Sequence, residues 1–159
     1  MGDSTGADGE GLRLGPLAEF IGFHLRLAQE ASFRAFAQRV GDPGLRPSRF
    51  AMLVLIAENP GLTQRALSRA SGRDTSTLTT ALDDLVRRGL VRRERAEADR
   101  RSYALSLTPR GRRVLGRLLA HARAHDAELD ALVGPRGKAT LLRLLRRIVA
   151  GLDCGAAPP

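Results

Sequence analysis

The sequence predicts a mainly α-helical chain with one small β-ribbon, and three observations predict it. Apolar residues recur at helical spacing in long segments at both ends of the chain. Between them, two short helical patterns are joined by Ser71-Gly72-Arg73, a short glycine-containing turn. After these, Tyr103, Leu105 and Leu107 alternate with Ser102, Ala104 and Ser106, which is strand periodicity. Two short helices across a tight turn followed by a ribbon make a winged helix-turn-helix, here with long N- and C-terminal helices suited to dimerisation.

Residues 1–15 are rich in Gly, Asp, Ser and Thr and are expected to be a disordered tail. Residues 16–152 are expected to form one domain, with residues 16–46 and 109–152 as dimerisation helices and 47–108 as the winged helix-turn-helix. Residues 153–159 are expected to be a flexible tail. The first helix is predicted over Pro16 to Val40, with proline in its first turn. Leu17, Phe20, Ile21, Leu25, Ala28, Ala31, Ala35 and Phe36 form its stripe. Leu14, Phe23, Leu27 and Phe33 widen that stripe enough to cover a partner chain.

Asp42-Pro43-Gly44 marks a loop, Pro47 opens the second helix and Asn59-Pro60-Gly61 stops it. Thr63 reads as an N-cap for a third helix over Gln64 to Ala70, and Leu62 and Leu67 have the spacing of a hydrophobic staple. Asp74 caps a fourth helix ending at Arg88, with Gly89 in the C′ position. Strands are predicted over Leu90 to Arg95 and Arg101 to Leu107. Thr108-Pro109 starts a helix reaching about Val133, and after Gly134-Pro135 a last helix runs from Arg136 to Leu152.

The chain has 159 residues, 43% hydrophobic and 27% charged, with a formal net charge of +9. That surplus favours a polyanionic partner, most simply nucleic acid. The single cysteine, Cys154, excludes an internal disulfide and fits a reducing cytoplasm, while its place in a frayed tail beside Asp153 argues against a redox sensor. No apolar run approaches membrane-spanning length, and residues 1–11 lack the basic and apolar regions of a signal peptide. No glycine-rich phosphate loop, nucleophile elbow or convergent acid–base pair is present. The chain is therefore not expected to be an enzyme or to need a cofactor.

The fourth helix carries the sharpest functional signal. Leu78, Ala81, Leu82, Leu85 and Val86 line one face, and opposite lie Ser76, Thr80, Asp83 and Arg87 with Thr75, Thr77 and Thr79 on the flanks. Short hydroxyls on the solvent face of a helix suit close approach to base edges and phosphates in a major groove. An ordinary surface helix would more often carry Glu and Lys there, because Ser and Thr are weaker helix formers. Arg73 precedes this helix. Arg92, Arg93, Arg95, Arg100 and Arg101 flank the tip of the ribbon, and guanidinium groups at such a tip fit the negative potential of a minor groove.

These segments resemble the MarR family of bacterial winged-helix regulators. The resemblance rests on Leu67-Ser68-Arg69-Ala70-Ser71-Gly72, Ser76-Thr77-Leu78-Thr79 with Leu82 and Leu85, and Arg88-Gly89-Leu90-Val91-Arg92-Arg93. It continues through Asp99-Arg100-Arg101-Ser102 and Leu107-Thr108-Pro109-Arg110-Gly111, so that it spans roughly Leu14 to Leu152. It implies a homodimer on a palindromic operator, with recognition-helix contacts at Thr75, Ser76, Thr77, Thr79 and Thr80. It also implies wing contacts through Asp99 and Arg101. Many relatives carry arginine where this chain has Thr80, so a bidentate guanine reader is absent at that point.

The resemblance further implies a small-molecule effector, often an aromatic acid or in some relatives an acyl-CoA thioester, of the kind met in aromatic catabolism. The candidate pocket lining is Phe20, His24, Phe50, Leu53, Leu115 and Leu119, with Arg26, Arg46 and Arg49 to pair an anion. Leu62 to Leu107 holds ten arginines and six acidic residues, a net of only +4, so much of the basic surplus lies outside the winged segment.

The expected function is a ligand-responsive repressor. Two alternatives stand beside it. His121 and His125, at i, i+4 on one helix, suggest a metal-responsive regulator, with Asp126 or His24 as a third ligand; interface or pocket histidines are the plainer reading, and no metal is expected. An effector-independent nucleoid-type DNA-binding protein is the other.

Overall fold

The computed structural model describes residues 12–42, 44–72, 75–95 and 103–153, and its element boundaries fall close to the stop signals in the sequence. Helix α1 spans Ile21–Val40, α2 Pro47–Glu58, α3 Gln64–Ser71 and α4 Thr75–Arg87. Strands β1 (Val91–Arg95) and β2 (Tyr103–Leu107) form an antiparallel ribbon, followed by α5 (Pro109–Val133) and α6 (Gly137–Asp153). In the ribbon Val91 faces Leu107 and Arg95 faces Tyr103.

One predicted element is different. The long first helix is broken: Gly15–Glu19 is a 3₁₀ turn, and Phe20 adopts an extended backbone before α1 begins. His24 fixes the break, because its Nε2 lies 2.7 Å from the carbonyl oxygen of Ala18, supplying a donor to a turn end that lacks one.

The caps form as their residue types dictate. Thr63 Oγ1 accepts from the amide of Ala66 at 3.2 Å, and Thr108 Oγ1 accepts from the amide of Gly111 at 2.9 Å. Helix α4 ends in a Schellman motif: Gly89, at φ 66°, donates to Val86 and Leu90 donates to Leu85. An isolated bridge of Thr63 with Ala104, with Leu105 donating to Leu62, ties the start of α3 to the ribbon.

The core is one cluster. Met52, Leu53 and Ile56 of α2 meet Leu67 of α3, Leu78, Leu82 and Leu85 of α4, Leu105 and Leu107 of β2, and Leu115 and Leu118 of α5. Helices α2, α3 and α4, the ribbon and the start of α5 therefore share one apolar seat, and α1 packs along α5.

Two of the sequence motifs lock together here. Thr108 Oγ1 donates to the carbonyl of Gly89 at 2.7 Å, and Gly111 lies so close to Leu90 that a Cβ on it would collide with the Leu90 carbonyl oxygen. Glycine at 111 thus seats the first turn of α5 on the start of the ribbon. Gly111→Ala is expected to destabilise the fold by about 1–3 kcal/mol through overpacking against rigid backbone. Thermal unfolding checks this, and an unchanged midpoint would mean that the contact relaxes freely.

Candidate nucleic-acid interface

Helix α4 buries its leucines so completely that its opposite face is committed to solvent. Leu78, Leu82 and Leu85 are 0% exposed, while Ser76, Thr77 and Thr80 are exposed. Thr80 Oγ1 donates back to the carbonyl of Ser76 at 3.3 Å, a local bond that a helix tolerates. Thr79 is half-buried, and its hydroxyl accepts from Gln64 Nε2 at 2.7 Å. Gln64, at the first residue of α3, was not singled out in the sequence. It ties the two helices of the motif together across fifteen residues of chain, a link that spacing alone does not reveal.

Acidic residues on α4 brace the helix. Asp83 accepts from Arg93 of β1 at 2.7 Å, which connects α4 to the ribbon. Asp84 accepts from Arg87 at 2.6 Å and pairs with Arg49 of α2 at 3.1 Å. The bond from Arg87, with the charge of Arg49, outweighs partial burial and holds the Asp84 carboxyl below the usual carboxylate range. Arg87 and Arg49, read from the sequence as DNA-facing and effector-facing cations respectively, are thus both engaged by Asp84. Arg87 remains largely exposed.

On the ribbon, Arg92 donates to Ser106 at 2.8 Å and pairs with Glu94, whereas Arg95 is exposed and makes no ion pair among the described residues. Tyr103, opposite Arg95, is 50% exposed and adds an aromatic surface at the same level. Arg73, Asp99, Arg100 and Arg101 lie outside the described residues, as does Cys154, and the side chain of Thr75 is likewise not described.

The candidate effector residues do not share one cavity. Leu53 is fully buried and Leu115 nearly so, both within the core, and Leu119 packs against it. Phe20 and His24 are exposed at the start of α1. Arg26 pairs with Glu30 at 2.8 Å and lies over the Phe23 ring, while Arg46 is exposed just before α2.

A cavity of about 290 Å³ instead brings Phe50 together with Ser32, Phe33 and Phe36 of α1 and with Ala122, His125 and Asp126 of α5. His125 is only 8% exposed, its Nε2 is 2.9 Å from Ser32 Oγ, and its ring meets Phe36 edge-on at 5.9 Å. Its Nδ1 is buried and has no hydrogen-bond partner among the described residues. A buried polar nitrogen without a partner costs about 1–3 kcal/mol. This cavity depends on how α1 meets α5, which one-dimensional patterns do not specify.

The possible third metal ligands are engaged elsewhere. Asp126 accepts from Lys138, His24 is bound to Ala18, and no three of His, Cys, Asp or Glu converge among the described residues. No described helix is long and apolar enough to cross a membrane.

Comparison with known proteins matches this geometry to one group. A model of the MarR family matches residues 44–102. A protein of Thauera aromatica assigned to transcriptional regulation of the hcr operon is 37% identical over 135 residues, covering 84% of this chain and 81% of that one. The transcriptional repressor CouR, solved bound to a 23-mer DNA duplex, superposes with a TM-score of 0.79 at 36% identity, covering 87% of this chain and 98% of that one. CouR bound to p-coumaroyl-CoA superposes at 0.80 with 32% identity, covering 87% and 97%. PcaV of Streptomyces coelicolor, in complex with its natural ligand, also superposes at 0.80, with 28% identity and coverage of 87% and 98%.

Proposed function

Because the chain belongs to the MarR family of winged-helix transcriptional regulators, we propose that it is a homodimeric repressor that occupies a palindromic operator and is released by a small aromatic acid or its CoA thioester. The observation that carries the DNA-binding half is α4. Its leucines are wholly buried, its outer face presents Ser76, Thr77 and Thr80, and Asp83 ties it to the ribbon through Arg93. A helix so held enters a major groove with hydroxyls facing the bases, while Arg95 and the tip arginines reach the adjoining minor groove.

Dimerisation is supported by apolar side chains that the single chain leaves uncovered. Ile21 is 69% exposed, Leu132 82% and Leu152 73%, and they sit on α1, α5 and α6 beyond the winged segment. Exposed apolar surface on this scale marks an interface.

The effector half is supported by the Phe36–Phe50–His125 cavity, which offers aromatic walls. A ligand seated between α1, α2 and α5 acts by favouring the dimer geometry that fails to span two half-sites. The CouR and PcaV complexes support the ligand class.

The test is a footprint on DNA upstream of the gene, followed by insertion of five base pairs between the two half-sites. A dimer reads half-sites about 10 bp apart on one face of the duplex. Half a turn of added DNA is expected to reduce affinity toward the non-specific level, a loss on the order of 10³-fold. Unchanged binding would contradict a two-site dimer.

A further inference from the structure

A groove of about 820 Å³ lies away from the aromatic cavity, between the start of α5, the end of α4 and the α1–α2 loop. Three arginines of α5, Arg110, Arg113 and Arg117, line one side of it. They lie at i, i+3 and i+7, so they share a face of the helix and span about 10 Å along its axis. None of the three makes an ion pair or hydrogen bond among the described residues. The fourth cation of the groove, Arg88, is already neutralised by Asp42 at 2.5 Å. That pair is fixed in place, because Gly44 leaves open the space its guanidinium occupies.

This placement is electrostatically unfavourable as it stands. The first turn of α5 holds no acidic residue, and an N-terminal turn carries the positive end of the helix dipole. Cations gathered there repel both the dipole and one another. Such a local violation is expected where a site awaits an anion. The floor of the groove is apolar, formed by Leu45, Leu90 and Val114, which are all at least nine-tenths buried. A basic rim over an apolar floor fits a phosphorylated small molecule with an apolar or aromatic portion better than it fits a bare phosphodiester backbone.

The groove adjoins a further hollow on the side of the aromatic cavity. A second hollow shares Asp42, Leu45, Val114 and Arg117 with it and ends at Val40 and His121. Phe36 and His125, of the aromatic cavity, lie one turn further along α1 and α5 respectively. Arg113 and His125 are about 18 Å apart along the axis of α5 and about 120° apart around it, given 1.5 Å and 100° per residue.

We propose that Arg110, Arg113 and Arg117 form the binding site for the nucleotide phosphates of an acyl-CoA effector, whose acyl end occupies the Phe36–Phe50–His125 cavity. This rests on the effector half of the function proposed above and narrows it, because a free aromatic acid has no phosphates to place in the groove. Phosphate oxygens accept charge-assisted hydrogen bonds from the guanidinium groups, and Leu45, Leu90 and Val114 underlie the base or the pantetheine arm.

The test uses free coenzyme A and p-coumarate as separate probes, on the full chain and on the double variant Arg113→Glu/Arg117→Glu. Coenzyme A is expected to bind the parent and to bind the variant at least tenfold more weakly, with p-coumarate unaffected by the change. Operator affinity and melting temperature serve as controls and are expected to hold. Failure of the parent to bind coenzyme A, or equal binding by the variant, would overturn the assignment. A tenfold loss of operator affinity with coenzyme A binding unchanged would show a DNA-backbone surface and overturn it too. If the parent is released from DNA by p-coumarate but ignores coenzyme A, the function proposed above stands and this assignment fails. If the parent shows no operator preference at all, it is that function that fails.

Discussion

Thr80→Glu is expected to abolish useful operator binding while leaving the fold intact. Thr80 is exposed on the outer face of α4, one turn beyond Ser76, and its hydroxyl returns to the Ser76 carbonyl. A carboxylate there would face phosphate oxygens and base acceptors at close range. Like charges placed across an interface cost several kcal/mol, and about 3 kcal/mol corresponds to roughly a hundredfold in affinity. Glutamate is the better helix former, so the melting temperature should not fall. Fluorescence anisotropy with labelled operator reads the affinity. Parent-like binding by Thr80→Glu would remove α4 from the interface. Thr80→Arg makes the opposite change, placing there the side chain that many relatives carry, and is expected to tighten binding, most on DNA that presents a guanine to it.

Leu82→Ala is expected to produce the largest loss of stability. Leu82 is 0% exposed and sits in the shared cluster that includes Met52, Leu53 and Leu105. Truncating a fully buried leucine removes its transfer free energy and leaves a cavity, a cost of about 2–5 kcal/mol. Because the same cluster seats α2, α3, α4 and the ribbon, the loss should be global rather than confined to α4. Urea denaturation would show the midpoint moving down with little change in slope. A midpoint within experimental error of the parent would mean that the site collapses around the smaller residue, and the single-core description would be wrong.

Much of this fold was legible in the sequence because it depends on local chemistry. The period of Leu78, Leu82 and Leu85 already separates the buried face of α4 from its polar face. Thr63, Thr108 and Gly89 are capping residues whose action needs only their nearest neighbours. What was not legible depends on contacts between distant segments. Gln64 holds Thr79, Arg49 holds Asp84, and Arg88 holds Asp42 across forty-six residues. Gln64, Asp84 and Asp42 read as ordinary surface polar groups until the helices are packed, and the bracing roles of Thr79, Arg49 and Arg88 appear only then.

The effector cavity illustrates the same division. Of the six apolar and histidine candidates from the sequence, only Phe50 lines it, because Leu53, Leu115 and Leu119 are used by the core. Its other principal walls, Phe36 and His125, come from two helices whose contact angle no periodicity specifies. The extended backbone at Phe20 is hidden in the sequence for a different reason: the apolar stripe runs straight through the break, and the bond of His24 to Ala18, only six residues away, leaves no mark on the periodicity.

The most direct test of the central claim is a salt titration of the purified protein on DNA from immediately upstream of its gene, with and without p-coumarate and p-coumaroyl-CoA. A dimer that contacts six to ten phosphates is expected to lose about 10³–10⁵ in affinity between 50 and 200 mM salt. It should prefer this DNA to unrelated duplex and release it on addition of one of the two compounds. Equal affinity for unrelated DNA, unchanged by either compound, would contradict a ligand-responsive repressor and indicate a protein that coats DNA without reading it.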